Sequence, residues 1–234
     1  MPPWTSYGCG WTRREPGDDG PGRAGAGLEA KKKSVHAAER DTERVRALRV
    51  RALRAAFLEA LQTEDVTCFQ FVDETSTNLT YCRRYARAEG GQRAHQVTPL
   101  HGGPNVTLIA ALTPDGLGAL MSVDGAVNGD VFAAYLDQVL GPALVPGNVV
   151  VLDNLPAHKV AGPAELVEAR GTRLLYLPPY SPDFNPIELA FSKLKTWLRS
   201  AQARTREAVI QAATDWITEG DAKNWFDHCG YHVH

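Results

Sequence analysis

Cysteine is scarce in this chain of 234 residues, and what there is does not pair. Cys9, Cys68, Cys82 and Cys229 are scattered with no CxxC among them, so neither a zinc finger nor a redox pair is signalled. No stretch reads as a signal peptide, which together with the unpaired cysteines points to a reducing cytoplasm. No apolar run approaches the roughly 18 residues of a membrane span, and no membrane partner is expected. Strong charge is missing too. The formal net charge is −2, and residues 65–234 hold 13 Lys and Arg against 18 Asp and Glu. Such a region does not grip nucleic acid through net charge; it would need local basic patches or metal ions to offset its acids.

What is present is ordinary globular material, 44% hydrophobic and 22% charged, enough for a sizeable core. Residues 1–30 are assigned to a disordered or unrelated N-terminal segment, because the first 27 are rich in Gly, Pro and Arg without apolar periodicity. Residues 31–64 read as a linker, with Lys31, Lys32 and Lys33 at its start, and a connecting helix from Asp41 to Gln62. In that helix Val45, Leu48, Leu53, Phe57, Leu58 and Leu61 recur near helical spacing.

The remainder, 65–234, reads as one domain. Strands are expected at 66–72, 106–112, 118–123, 149–153 and 172–177, and helices at 128–140, 163–169, 186–200 and 205–218. Thr113-Pro114-Asp115-Gly116 turns the second strand into the third. Three meandering strands followed by two crossover units make an α/β fold, a mixed five-stranded sheet with helices on both faces. Between the first two strands, residues 81–97 read as an irregular hairpin. It carries Arg83, Arg84, Arg87 and Arg93 beside Tyr81 and Tyr85, which suits phosphate and base-stacking contacts with DNA, or else an exposed arm with ordinary ion pairs.

Two of these strands are expected to end on acids. Val149-Val150-Val151-Leu152 suits burial on both faces and stops at Asp153, before an Asn154-Leu155-Pro156 step that cannot continue a central strand. The first strand is expected to stop at Asp73-Glu74. As parallel neighbours the two would put both carboxylates at one edge, where open α/β sheets place their chemistry. Glu188 can join them, since Asn185 as N-cap and Pro186 at the first helical position put it in a first turn. Each acid also has a plainer reading. Asp153 can cap a turn, and Asn185 to Glu188 matches a capping box. Three carboxylates converging on one point would raise one another's pKa unless a cation neutralised them. Oxygen-only ligands select Mg²⁺ or Mn²⁺, and two such ions roughly 3.5–4 Å apart support an in-line phosphoryl displacement.

Three stretches occur in order: FVDET (71–75), VVLDNLPAHK (150–159) and LPPYSPDFNPIE (177–188), with 34 residues between Asp153 and Glu188. On these the chain resembles a DDE transposase of the bacterial insertion-sequence branch related to mariner elements, from about Lys31 to the C-terminus. The resemblance implies an RNase H-like core in which Asp73, Asp153 and Glu188 are catalytic and hold two Mg²⁺ or Mn²⁺ ions for strand cleavage and 3′-hydroxyl strand transfer. Transposon ends and target DNA would be the partners, and paired ends make a homodimer reasonable. Asn154 and His158 are expected to support the site by hydrogen bonds to the acids or a phosphate, with structuring of the turn as the other reading. Asn185 and Asp183 are expected to shape the loop before Glu188. His228, Cys229, His232 and His234 look like soft ligands, but they crowd the C-terminus without a second cluster, which speaks against a zinc site.

Members of that family carry an N-terminal helix-turn-helix that reads terminal repeats, and only about 65 residues precede the first catalytic strand here. The expectation is a catalytic-domain part, from a truncated gene or a gene split between frames and joined by frameshifting. Two functions follow: a metal-dependent transposase core in a bacterial, nucleoid-associated setting, or a non-catalytic product that binds DNA or full-length transposase and damps transposition. The three intact acids favour the first.

Overall fold

Five runs rich in apolar and β-branched residues become strands, β1 (Phe69–Thr77), β2 (Val106–Thr113), β3 (Gly116–Asp124), β4 (Val149–Leu152) and β5 (Arg173–Tyr176). The computed structural model describes residues 43–44, 47, 53–63, 65–103, 105–154, 162–179 and 181–232. The expected N-terminal segment, Lys31 to Lys33 and His158 lie outside the described residues. The strands form one sheet in the order β3-β2-β1-β4-β5. The β1–β2 and β2–β3 pairs are antiparallel, and β1–β4 and β4–β5 are parallel, so the sheet is mixed as the sequence predicts. Gly116, after the Pro114-Asp115 turn, takes a φ of 132° that a side chain would strain.

Six α-helices are described around the sheet: α1 (Leu53–Thr63), α2 (Gly129–Tyr135), α3 (Pro163–Glu168), α4 (Pro186–Ala201), α5 (Arg206–Asp215) and α6 (Glu219–His228). Because strand side chains alternate between faces, each strand feeds two cores. Phe69, Phe71, Ala110, Leu112, Val149 and Val151 pack against Ile187, Ala190 and Phe191 of α4, Ala222 and Phe226 of α6, and Phe57 of α1. On the opposite face Val72, Ile109, Ala111, Val150 and Leu152 meet Phe132 and Tyr135 of α2, Leu136 and Leu140 beyond it, and Val167 of α3. Val106 and Leu108 extend the α4 side under Leu194, Leu198 and the Val209, Ala212 and Ala213 of α5. Full burial of one such large apolar side chain contributes about 1.5–3 kcal/mol.

Four local expectations change. First, β1 does not stop at Asp73. It runs on to Thr77 because β2 keeps pairing with it, from Asp73 opposite Ala110 to Thr77 opposite Val106. Second, residues 81–97 form no hairpin. The Glu89–Gln92 turn is present, but the chain on either side is irregular and mostly exposed. It lacks the apolar alternation that would let paired strands bury a face. Third, the helix expected over 205–218 ends at Asp215, and a separate helix, α6, follows from Glu219. Its start is written in the sequence as Thr218 and Asp221, which cap each other's backbone N–H groups. Fourth, the expected helix over 128–140 is α-helical only to Tyr135 and continues as a π turn over Leu136–Leu140.

Candidate functional site

Strand parity places two of the predicted acids. Asp73 shares the parity of Phe69 and Phe71, and Asp153 that of Val149 and Val151, so both belong to the α4 side. Parallel pairing of β1 with β4 ends at Val72 opposite Leu152. The two aspartates therefore follow the last paired rung together. One strand continues and the other stops, yet the carboxylates reach the same level. The helix packed over this face is α4, and Glu188 lies in its first turn. Asp73, Asp153 and Glu188 line a single cavity of about 400 Å³, with Asn154, Asn185, Pro178, Pro179 and Ser181 forming other parts of its wall.

The electrostatics fit three acids gathered without a counterion. Asp73 is 8% exposed. Burial, then the charges of Glu188 and Asp153, push its carboxyl up to about 8. Its oxygens are held apart by two donors, the Glu74 N–H to Oδ1 at 2.7 Å and Asn185 Nδ2 to Oδ2 at 3.0 Å.

Asn185 settles the capping question. It stands at the N-cap position of α4 but makes no side-chain capping bond. Its amide is turned to Asp73, and its own backbone N–H donates to Pro182 O at 3.1 Å. The capping box that the sequence allows is not formed. The helix start gives up a cap, typically worth ~1 kcal/mol, and Asp73 gains a buried hydrogen bond.

Two further oxygens have no hydrogen-bond partner, Asn154 Oδ1 and Asn185 Oδ1, both buried. An unsatisfied buried amide oxygen costs free energy unless something donates to it or coordinates it. Three carboxylates and two amide oxygens are a hard, all-oxygen donor set, which fits Mg²⁺ or Mn²⁺ and not a thiophilic metal. Among the described residues no three His, Cys, Asp or Glu side chains already stand in ligating geometry. The acids line a space and are not drawn to a point.

Sequence reasoning missed Lys195. Lying seven residues beyond Glu188 on α4, it shares roughly the same helical face. Burial holds its ammonium below the usual lysine range, and the charges of Glu188 and Asp73 oppose that shift. The seven-residue spacing was the available signal. The predicted arginines are elsewhere. Arg83, Arg84, Arg87 and Arg93 are exposed on the irregular excursion between β1 and β2, and none lines the acid cavity. That excursion is pinned at its base. Arg204 donates to the carbonyls of Leu79 at 2.8 Å and Tyr81 at 2.7 Å, and Arg199 lies 4.8 Å from the Tyr81 ring centroid.

Comparison with known proteins matches this architecture. Residues 69–210 match the model of the DDE superfamily endonuclease. The transposable element Tcb1 transposase of Caenorhabditis briggsae is 29% identical over 123 residues, which are 50% of this chain and 45% of that protein. The Mos1 strand transfer complex shares a TM-score of 0.66 at 16% identity, covering 88% of this chain and 63% of that one. The Mos1 mariner paired end complex with Mn gives 0.66 at 15% identity with the same coverage, 88% and 63%. The chain thus spans 45% of the length of the Tcb1 relative and 63% of the Mos1 chains. At these identities the structural likeness establishes the fold, which is RNase H-like. A family match that runs from the start of β1 through every strand of the sheet, the cavity wall and α4 shows that the chain belongs to the DDE superfamily endonucleases.

Proposed function

We propose that this chain is the catalytic part of a transposase, related to the mariner elements through the insertion-sequence branch, that cleaves DNA strands and transfers 3′ ends in a divalent-metal-dependent reaction. One observation carries the reading: Asp73, Asp153 and Glu188, from β1, β4 and α4, line one cavity, where burial and then the charges of Glu188 and Asp153 push the Asp73 carboxyl up. The family match supports the reaction class, and the 34-residue interval between Asp153 and Glu188 supports the branch.

Asp73, Asp153 and Glu188 would hold Mg²⁺ or Mn²⁺, with Asn154 and Asn185 offering oxygens to the ions or to their waters. When bound, two such ions lower the pKa of an attacking water or 3′-hydroxyl and stabilise the leaving oxygen of a phosphodiester. The chain's own residues orient that reaction. Asn185 fixes the rotation of the Asp73 carboxylate, and Glu74 N–H holds its other oxygen. Lys195, on the Glu188 face of α4, is placed to meet a phosphate oxygen approaching the acids. Arg83, Arg84, Arg87 and Arg93 give the otherwise acidic domain a basic excursion for the DNA backbone.

The test is cleavage of duplex DNA in Mn²⁺ by wild type and by Asp153→Ala. Cutting by wild type alone is the expected result. Equal cutting by both, or none by either, sinks the catalytic reading.

A further inference from the structure

Phe184 stands immediately before Asn185, at the end of the 3₁₀ turn Pro182–Phe184 that leads from the cavity wall into α4. It is gripped from two distant parts of the chain. From α1, the Arg54 guanidinium carbon lies 3.9 Å from its ring centroid, and Phe57 stacks on it at 5.8 Å with 26° between the planes. From beyond α6, the Tyr231 hydroxyl donates to the Phe184 carbonyl at 2.7 Å. Arg54 also pairs with Asp183 at 3.3 Å, and the Phe57 and Tyr231 rings meet edge-on at 6.5 Å.

Core packing alone leaves the hydroxyl unexplained. Tyr231 is 1% exposed, and a phenylalanine would fill the same space. The oxygen is accounted for by the carbonyl it meets. That carbonyl belongs to the peptide joining Phe184 to Asn185. The Asn185 N–H in the same peptide donates to Pro182 O, and Asn185 O accepts from the Glu188 N–H at 3.2 Å. Holding this one peptide plane therefore holds both the amide that grips Asp73 and the helical turn that carries Glu188.

We propose that Arg54, Phe57 and Tyr231 are positioning residues of the acidic site, acting through Phe184 to keep Asn185 against Asp73 and Glu188 beside the cavity. The proposal rests on the divalent-metal reading above. It makes α1 a lever on the site: loosening α1 from Phe184 weakens ion binding without altering any acid.

The full chain is titrated with Mn²⁺, with free ion followed by electron paramagnetic resonance, and amide exchange over 184–188 is measured on the metal-free chain. Tyr231→Phe removes only the hydroxyl, and Arg54→Gln removes the half-buried guanidinium that lies on Phe184 and pairs with Asp183, so both keep the apolar core filled. Each is expected to weaken Mn²⁺ binding about three- to tenfold and to speed exchange at the Asn185 and Glu188 amides. Phe132→Leu, in the core on the opposite face, is the control. It should lower the melting temperature while leaving Mn²⁺ affinity as in wild type. Unchanged affinity in Tyr231→Phe or in Arg54→Gln overturns the proposal for that arm, whatever exchange does. An equal loss in the control overturns it as general softening. A folded wild type that binds no Mn²⁺, or an Asp153→Ala that binds as wild type does, overturns the metal reading and this proposal with it.

Discussion

The two faces of the sheet are built by the same strands, yet they end differently. On the face under α2 and α3, β1 and β4 present Gln70 opposite Val150 and then Val72 opposite Leu152, so the last rung of their pairing is apolar. On the face under α4, Phe69 and Phe71 are followed by Asp73, and Val149 and Val151 by Asp153. A shift of one residue along either strand separates a closed hydrocarbon core from a carboxylate cavity. Each face also holds a buried oxygen without a partner. Tyr135 Oη is enclosed in the apolar cluster, and burial pushes its ionisation far up. Asn154 Oδ1 and Asn185 Oδ1 instead belong to residues lining the cavity with three acids. An orphaned oxygen points to a ligand where other oxygens converge with it; alone among carbon atoms it does not.

The contrast can be broken most sharply at neighbouring positions. Asp153→Ala should reduce Mn²⁺-dependent strand cleavage by at least ~10²-fold, since changing the groups that merely support metal ligands already costs 10–100-fold. Leu136→Ala, wholly on the other face, should cost about 2–5 kcal/mol of stability in denaturant titration and leave Mn²⁺ affinity of the folded chain unchanged. If the leucine variant lost affinity while folded, the faces would not be independent.

Asp73→Asn separates stability from chemistry. The Asp73 carboxyl keeps its proton up to about 8 when folded, whereas an unfolded aspartate loses it near 3.9. The folded state therefore binds more protons in that interval, and the metal-free chain should lose stability as pH rises from about 4 to about 8. Asn at this position should stabilise the metal-free chain at pH 8 by on the order of a few kcal/mol and flatten the pH dependence, while abolishing cleavage. Added Mn²⁺ should stabilise wild type more at pH 8 than at pH 5. Thermal melts across pH, with and without the ion, check both.

The smallest effect belongs to the outer shell of the α4 side. Asp221 accepts from Lys193 Nζ at 2.5 Å and caps α6 with Thr218, and those hydrogen bonds hold its carboxyl down at about 2. Its contribution is present above the ordinary aspartate range and is lost as pH falls through about 2. Asp221→Ala should cost about 1 kcal/mol at neutral pH, with cleavage unaffected. A large loss of activity would tie this surface to the site.

Most of the fold was legible because it is periodic. The β-branched run before Asp153, the Pro-Asp turn before Gly116 and the amphipathic run that starts at Asn128 each declare themselves within a few residues. The expected hairpin over residues 81–97 is absent because pairing needs a buried face, which the exposed stretch from Arg83 to Arg93 does not supply. The end of β1 was misread for the converse reason. Asp73-Glu74 looks like a terminus, but β2 continues the ladder beneath it.

By itself the sequence determined the chemistry of the donors, their order and spacing, and the strand parity that sends Asp73 and Asp153 to the same side as their apolar neighbours. These are local properties, set by residue type and a period of two. Only the tertiary structure decided that β1 and β4 are parallel neighbours in register at Val72 and Leu152, and that α4 covers the acid face and not the other. It also decided that Asn185 serves Asp73 and not its own helix, and that Arg54, Phe57 and Tyr231 meet at Phe184. Those facts depend on contacts between residues tens to more than a hundred positions apart, which no local pattern records.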